Sequence, residues 1–144
     1  MPFAKHPFDG EGAYRFGGRW SSAGTRLAYA SEHASLAMLE YFVHIELNEA
    51  PADLVLVAAD IPGSVPRKRI TASHLPKKWA QTPAPPGLAQ IGDTFVHEQR
   101  ACVLIVPSAL APQEMNWLLN PAHPAFARIQ IHKPRPFRYD ARML

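Results

Sequence analysis

The fold of this chain is organised by one stretch, residues 17–47, which reads GGRWSSAGTRLAYASEHASLAMLEYFVHIEL. It begins as a glycine-rich loop that carries Arg19 and continues as a strand over residues 26–30. Residues 32–47 contain neither Pro nor Gly and are rich in helix-forming residues, so they predict a helix with Ser31 as its N-cap. Because most of the circumference of this helix is apolar, we expect it to be largely buried.

Glu40 is the residue of this helix that the apolar pattern does not explain. Its neighbours one helical turn away include Leu36, Ala37 and Val43. A carboxylate in apolar surroundings is costly unless a partner pairs with it or donates a hydrogen bond to it. The pattern leaves two interpretations open, which are a structural ion pair or solvent edge and a functional carboxylate.

The composition is typical of one globular domain over residues 1–144. A net charge of +3 without a run of Lys and Arg argues against direct nucleic-acid binding. No apolar run is long enough to span a membrane, and residues 1–20 lack the apolar core of a signal peptide. The single cysteine, Cys102, lies in an apolar run and is predicted to be a core thiol. These features favour a cytoplasmic protein.

The other segments predict an α+β fold with a split, mostly antiparallel sheet and a few helices. Residues 1–12 predict no regular element, and the Pro-rich residues 75–86 predict a surface loop. The predicted strands are the apolar and therefore central residues 53–61 and 101–106, an edge strand within 67–73, and the half-exposed 127–132. The predicted helices are 88–99 and a short helix or turn at 113–120.

Arg19, Tyr29 and Glu40 together point to a chemistry. An Arg in a glycine-rich loop can grip a phosphate, and a Tyr at a strand end offers a flat face to a ring. A carboxylate in an apolar pocket can stabilise a developing cation, which suits cleavage of a glycosidic bond. A charged nicotinamide leaving group needs no acid to protonate it, so one glutamate would be enough. The structural alternatives are a half-buried core role for Tyr29 and a loop-bracing role for Arg19.

Two other enzyme classes are not predicted. None of the seven His residues lies in an H-x₃-H or HExxH pattern, so no metal site is expected. Ser108 follows Pro107 without the G-x-S-x-G elbow of many serine hydrolases.

Several ordered motifs resemble the RES domain, a family named for an Arg, a Glu and a Ser, which we place at Arg19, Glu40 and Ser108. The matching segments are 17–20 (GGRW), 27–31 (LAYAS), 36–40 (LAMLE), 43–44 (VH), 106–110 (VPSAL), 116–124 (NWLLNPAHP) and 134–138 (PRPFR). The resemblance spans nearly the whole chain. One family feature, a short opening strand of the Leu-Tyr-Arg-Ile kind, is not recognisable in residues 1–8.

The resemblance implies a fold similar to ADP-ribosyltransferase catalytic domains and the toxin half of a bacterial type II toxin–antitoxin pair. Such toxins take NAD as substrate, and either transfer ADP-ribose to an acceptor protein or degrade NAD with water or phosphate. A separate Xre-like antitoxin usually covers the active site. An alternative, a non-catalytic module that binds a nucleotide or a partner, stays open.

The resemblance also implies roles for individual residues. Arg19 would hold the phosphates or ribose of NAD, and Tyr29 would stack near nicotinamide. Glu40 would hold the ribose 2′-hydroxyl and stabilise the cationic transition state. The remaining pocket residues would be Ser31, Ser108 and Asn116. For Ser108 the bland alternative is a turn after Pro107.

Overall fold

The structure, a computed structural model, describes residues 6–45 and 51–144. Within these ranges the helices are α1 (Glu11–Phe16), α2 (Ala34–Phe42) and α3 (Gly87–Glu98). The strands are β1 (Ala28–Ser31), β2 (Leu54–Leu56), β3 (Ala59–Asp60), β4 (Arg67–Arg69), β5 (Val103–Pro107), β6 (Met115–Leu119), β7 (Gln130–Ile131) and β8 (Arg135–Phe137). Short 3₁₀ helices are Ala72–His74, Pro124–Arg128 and Ala141–Met143. No helix of this described part is both long enough and apolar enough to cross a membrane.

A four-stranded sheet in the order β1-β6-β5-β4 forms the centre of the molecule. Strand β6 is antiparallel to both of its neighbours, whereas β4 runs parallel to β5 at the edge. Two further antiparallel pairs, β2 with β8 and β3 with β7, lie apart from this sheet. The predicted α+β class with a split, mostly antiparallel sheet is therefore confirmed.

The central sheet has two faces because side chains alternate along each strand. We call the face that carries Tyr29, Ser31 and Asn116 the front face. Its apolar part packs against the residues of α3 and of the loops before β1 and α3, namely Trp20, Trp79, Leu88 and Phe95. The rear face packs against the segment that contains Ala125 and Ile129. Because both faces are covered, every residue of β5 is buried.

Several predictions from the sequence are confirmed. The helix expected over residues 88–99 is α3, and it buries Phe95. The central strand expected at 101–106 is β5, and the edge strand expected within 67–73 is β4. Residues 75–86 form neither helix nor strand. Cys102 is fully buried, as a core thiol should be.

The predictions for the organising helix need correction. The helix expected over residues 32–47 is the shorter α2, and Leu36 is its buried residue; residues 46–47 fall outside the described ranges. Ser31 is not the N-cap, because it continues β1 and pairs with Asn116, and His33 takes the N-cap position instead. The helix is not largely buried, because one side packs on β1 while Leu39 and Val43 remain exposed.

Other predicted elements were wrong in type or length. The segment 113–120 is not a helix but contains β6, because pairing with β1 and β5 on both sides satisfies its backbone as a strand. The segment 53–61 is not one central strand, because β2 and β3 pair with different partners. Within 127–132 the strand shrinks to β7, since a Pro-initiated 3₁₀ helix occupies the residues before it. Residues 11–16 form α1, although residues 1–12 predicted no regular element. The opening strand of the family was not recognisable in residues 1–8, and residues 1–5 of that stretch lie outside the described ranges.

Candidate active site

Glu40 lies at the centre of a hydrogen-bond network on the front face. Its Oε1 accepts a hydrogen bond from the Ser108 hydroxyl at 2.6 Å and another from Asn116 Nδ2 at 2.8 Å. The Oδ1 atom of Asn116 in turn accepts a hydrogen bond from the Ser31 hydroxyl at 2.7 Å. Four residues far apart in sequence thus form one connected set, which we call the Glu40 network.

Strand register and chain order bring this network together. Ser31 on β1, Asn116 on β6 and Val106 on β5 lie directly opposite one another, and Ser108 follows the end of β5. Helix α2 begins three residues after Ser31 and packs on β1, which carries Glu40 back toward the sheet. The partner that the apolar surroundings of Glu40 demanded is therefore a pair of neutral hydrogen-bond donors.

Ser108 is fully enclosed by its hydrogen bonds. Its hydroxyl donates to Glu40 and accepts from the backbone N–H groups of Leu110 and Ala111, both at 3.1 Å. The residue is 0% exposed. Ser108 therefore stabilises the turn after β5, as the structural alternative predicted, and also donates a hydrogen bond to Glu40.

Both donors of the network approach the same carboxylate oxygen. Among the described residues, Oε2 of Glu40 receives no hydrogen bond, and Glu40 itself is partly exposed. A carboxylate held through one oxygen has a fixed orientation while its second oxygen can accept a hydrogen bond from a ligand.

Tyr29 lies on the same face of β1, two residues before Ser31 and therefore about 7 Å away along the strand. Its hydroxyl oxygen accepts a hydrogen bond from the backbone N–H of Trp20 at 3.0 Å and shares another with Ser21 Oγ at 2.8 Å. Burial of this hydroxyl end raises the pKa of Tyr29, and the hydrogen bonds only partly offset that effect. The residue as a whole is still 41% exposed.

Gly18 explains how the ring of Tyr29 fits beneath the loop. A Cβ atom at this position would lie 2.7 Å from the Tyr29 hydroxyl oxygen and 2.9 Å from its Cζ atom. A residue with a side chain at position 18 would therefore push the ring away from its hydrogen-bond partners.

Arg19 contacts residues 79–82, a segment that the sequence patterns did not associate with it. Its Nη1 donates to the carbonyl oxygens of Trp79 at 2.9 Å and Gln81 at 2.7 Å, and its Nη2 donates to Thr82 Oγ1 at 3.1 Å. The predicted loop-bracing alternative for Arg19 thus describes a real contact. These bonds use three of the five N–H donors of a guanidinium, and Nε has no partner among the described residues.

Hydrogen bonds therefore join four of the six predicted site residues directly. Tyr29 lies next to them on the front face, and Arg19, in the glycine-rich loop, is bound to segment 79–82 instead. Sequence reasoning missed Ser21, which orients the Tyr29 hydroxyl, and the segment 79–82. Nothing in the local sequence pattern indicated that Ser21 contacts Tyr29. Arg19 contacts residues about 60 positions further along the chain, which no local pattern could indicate.

Two other places on the surface are weaker candidates. Glu32, His33 and Glu114 bring donor atoms within 4.8 Å of one another, but the Glu32 carboxylate already accepts a hydrogen bond from the backbone of Met115. An open groove of about 680 Å³ is lined largely by apolar residues such as Phe8 and Phe126 and contains none of the six predicted site residues.

Comparison with known proteins places these features in a context. A model of the RES domain family matches residues 2–140. A protein of Sphingobium sp. named Prs ADP-ribosylating toxin is 36% identical over 137 residues, covering 94% of this chain and 85% of the relative. A Toxin Res of Yersinia enterocolitica is 34% identical and covers 93% of this chain and 88% of the relative. Among solved structures, a chain of the M. tuberculosis MbcT–MbcA toxin–antitoxin complex has a similar fold, with a TM-score of 0.71 at 16% sequence identity over 91% of this chain and 77% of that chain.

Proposed function

Since the chain belongs to the RES domain family, we propose that it is the toxin of a toxin–antitoxin pair and that it cleaves the bond between nicotinamide and ribose in NAD. The observation that carries this proposal is the Glu40 network, in which a carboxylate is held through Oε1 while Oε2 is left for a ligand. The name of the Sphingobium relative, an ADP-ribosylating toxin, supports the same chemistry.

The proposed reaction needs one well-placed negative charge. When the bond between nicotinamide and ribose breaks, its electron pair moves to the pyridinium nitrogen, so nicotinamide leaves as a neutral molecule without an acid. The ribose is left as an oxocarbenium-like cation, which Glu40 stabilises through its charge while Oε2 accepts a hydrogen bond from the ribose 2′-hydroxyl. A nucleophile then attacks the cation and completes the transfer of ADP-ribose.

Tyr29 and Arg19 bind the two ends of the substrate in this proposal. The exposed ring of Tyr29 stacks near nicotinamide while its hydroxyl stays fixed to the glycine-rich loop. Arg19 keeps Nε–H and one Nη2–H, and two such neighbouring donors suit bidentate binding of a phosphate. The same side chain can thus hold segment 79–82 and NAD.

The acceptor and the antitoxin define the biology of the reaction. Transfer to a protein and degradation with water or phosphate share every step up to the cation, so the Glu40 network serves both.

We assign the antitoxin, an Xre-like protein, to the mouth of this site, where Leu39, Val43 and Leu110 are exposed beside the network. Exposed apolar residues close to a site are typical of a surface that a partner covers.

The test is nicotinamide release from NAD by the purified protein, with and without bacterial lysate. We expect release by the wild type and a roughly 100-fold loss in Glu40→Gln, which keeps the shape but removes the charge. Glu98→Gln, which removes an exposed carboxylate from α3, serves as the control and should keep full activity. ADP-ribose on a lysate protein identifies a transferase, whereas release without lysate identifies NAD degradation. Saturable NAD binding without nicotinamide release would replace the proposal by the non-catalytic binding module.

A further inference from the structure

We propose that Ser31 is a positioning residue that fixes the side-chain amide of Asn116, and through it the aim of Glu40, rather than a residue that contacts NAD. This inference rests on the proposed function for its catalytic consequence. Its structural part, the control of Asn116 by Ser31, stands on contacts within the protein.

Two hydrogen bonds lead from Ser31 through Asn116 to Glu40, and each donor faces toward Glu40 along this path. Ser31 donates its hydroxyl hydrogen to Asn116 Oδ1 at 2.7 Å, and Asn116 donates from Nδ2 to Glu40 Oε1 at 2.8 Å. Ser31 and Asn116 are directly opposite each other on antiparallel strands, where side chains on one face come closest. The hydroxyl hydrogen of Ser31 is therefore already used within the protein.

The chemistry of the three groups fixes the orientation of the amide. An ionised carboxylate only accepts hydrogen bonds, so Asn116 has to present its NH₂ group to Glu40. The amide oxygen then points to β1, where it needs a donor because Asn116 is only 9% exposed. Ser31 supplies that donor. Without it the amide oxygen loses its hydrogen bond, and the amide is held only at the end that faces Glu40.

Loss of this control should affect the reaction more than the binding of NAD. Glu40 would keep the Ser108 hydrogen bond but lose the second donor that fixes the plane of its carboxylate. A small error in the aim of Oε2 weakens stabilisation of the cation, which forms only in the transition state, whereas ground-state contacts elsewhere are retained. A residue that contacts NAD directly would instead raise KM when it is truncated.

The activity arm compares Ser31→Ala, Ser31→Thr and Asn116→Ala with the wild type in nicotinamide release. We expect Ser31→Ala to lower kcat about tenfold with KM changed less than twofold. Ser31→Thr should restore most of kcat, because a Thr hydroxyl fits a strand and can donate the same hydrogen bond. The double variant Ser31→Ala/Asn116→Ala should be no slower than Asn116→Ala, since Ser31 acts only through Asn116. Multiplicative losses in the double variant, or a raised KM with unchanged kcat in Ser31→Ala, would overturn the inference.

A second arm is independent of any reaction. In ¹⁵N-labelled protein, the side-chain NH₂ signals of Asn116 are identified by their loss in Asn116→Asp. We expect these signals to shift and to exchange faster with water in Ser31→Ala but to stay in place in Ser31→Thr. If they do not move in Ser31→Ala, Ser31 does not control the amide and the inference is wrong. If they move while the wild type releases no nicotinamide, the proposed function fails and the positioning of Asn116 stands.

Discussion

Tyr29 meets two different environments along a single side chain. Its hydroxyl end is bound by Trp20 and Ser21, whereas the residue lies on the front face of the sheet and is 41% exposed as a whole. Such a ring is held in place without being covered, which is what stacking against a planar ligand requires. The alternative of a half-buried aromatic thus describes the hydroxyl end of Tyr29, and its role as a binding residue stays a prediction.

Substitution of Tyr29 by Phe should show the effect of the enclosed hydroxyl on stability. The change leaves the N–H of the buried Trp20 without its acceptor, so we expect the free energy of unfolding to fall by about 1–3 kcal/mol. Urea denaturation at pH 7 measures this loss. Tyr41→Phe, which removes the hydroxyl of an exposed tyrosine whose side chain has no hydrogen bond among the described residues, is the matched control and should stay near the wild type.

The raised pKa of Tyr29 also predicts how stability depends on pH. Because the folded protein holds the Tyr29 proton more tightly than the unfolded chain does, its contribution is complete below the unfolded pKa of about 10. The contribution is lost as the pH rises from there through the folded pKa. Thermal melts of the wild type should therefore fall more steeply above pH 10 than melts of Tyr29→Phe. Parallel curves for the two proteins would contradict an enclosed phenol.

Helix α3 and the glycine-rich loop are fitted to each other at Gly92. A Cβ atom on this residue would lie 1.7 Å from the backbone oxygen of Trp20, so the two elements touch with no space for a side chain. Asp93, the next residue, accepts a hydrogen bond from the backbone N–H of Ser22 at 2.9 Å. The pKa of Asp93 is lowered, because hydrogen bonds from Ser22 and Thr25 outweigh the opposing effect of burial. The position of Arg19 is therefore set partly by α3.

Substitution of Gly92 by Ala should separate these two elements. The added methyl group cannot be accommodated without a backbone shift, so we expect a loss of at least about 2 kcal/mol of stability. Under the proposed function, affinity for NAD should weaken as well, because the loop carries Arg19. Gly87→Ala on the same helix is the matched control, since nothing lies within 4 Å of its Cβ position and no loss is expected. Equal stability of the two variants by urea denaturation would show that the loop does not rest on α3 as described.

The elements that the sequence predicted well are those whose pattern admits one interpretation. The apolar run of β5 is buried on both faces, and α3 has a clear inner side with Phe95. Strand β6 was predicted as a short helix or turn because residues such as Trp117 and Leu118 fit a helix as well as a strand, and only pairing with β1 and β5 decides between them. The segment 53–61 looked central because a run of apolar residues does not tell which strands it will join.

The site could be predicted in its residues but not in its connections. The apolar pattern of the helix singled out Glu40 and the family resemblance supplied Ser108 and Asn116, while the fact that two donors share one carboxylate oxygen depends on contacts across 68 and 76 residues. The same holds for Arg19, whose expected role as a phosphate ligand gave no indication of its bonds to segment 79–82. Long-range contacts of this kind follow from the packing of the whole chain and leave no local pattern.

At the scale of the whole molecule, the two sides of the Glu40 network differ in how they are covered. Inward lies the core shared by α3 and the central sheet, whereas outward α2 leaves Leu39 and Val43 exposed. The apolar circumference of the helix, which predicted burial in the core, is thus partly open to solvent. In the proposed function an antitoxin covers this surface.

Substitution of Leu39 by Asp should therefore weaken the antitoxin complex. A charge in the centre of an apolar contact is not compensated, so we expect the Kd for the proposed antitoxin to rise roughly tenfold or more. Nicotinamide release by the free toxin should stay the same. Phe16→Asp, on the 82% exposed side chain that ends α1, is the control and should bind like the wild type. Unchanged affinity of Leu39→Asp in a calorimetric titration would move the antitoxin to another surface.

The buried thiol of Cys102 can report on the opening of the protein core. Burial raises the pKa of that thiol, and the Sγ atom is 0% exposed at the start of β5 with its hydrogen directed to Asn120. A disulfide reagent can therefore reach it only while the central sheet is open, so the labelling rate measures how often the sheet opens. Any ligand that binds the closed form slows that rate in proportion to its occupancy. Since the chain has no second cysteine, the labelling rate would also measure the binding of NAD and of an antitoxin that we propose, without a dye and without turnover.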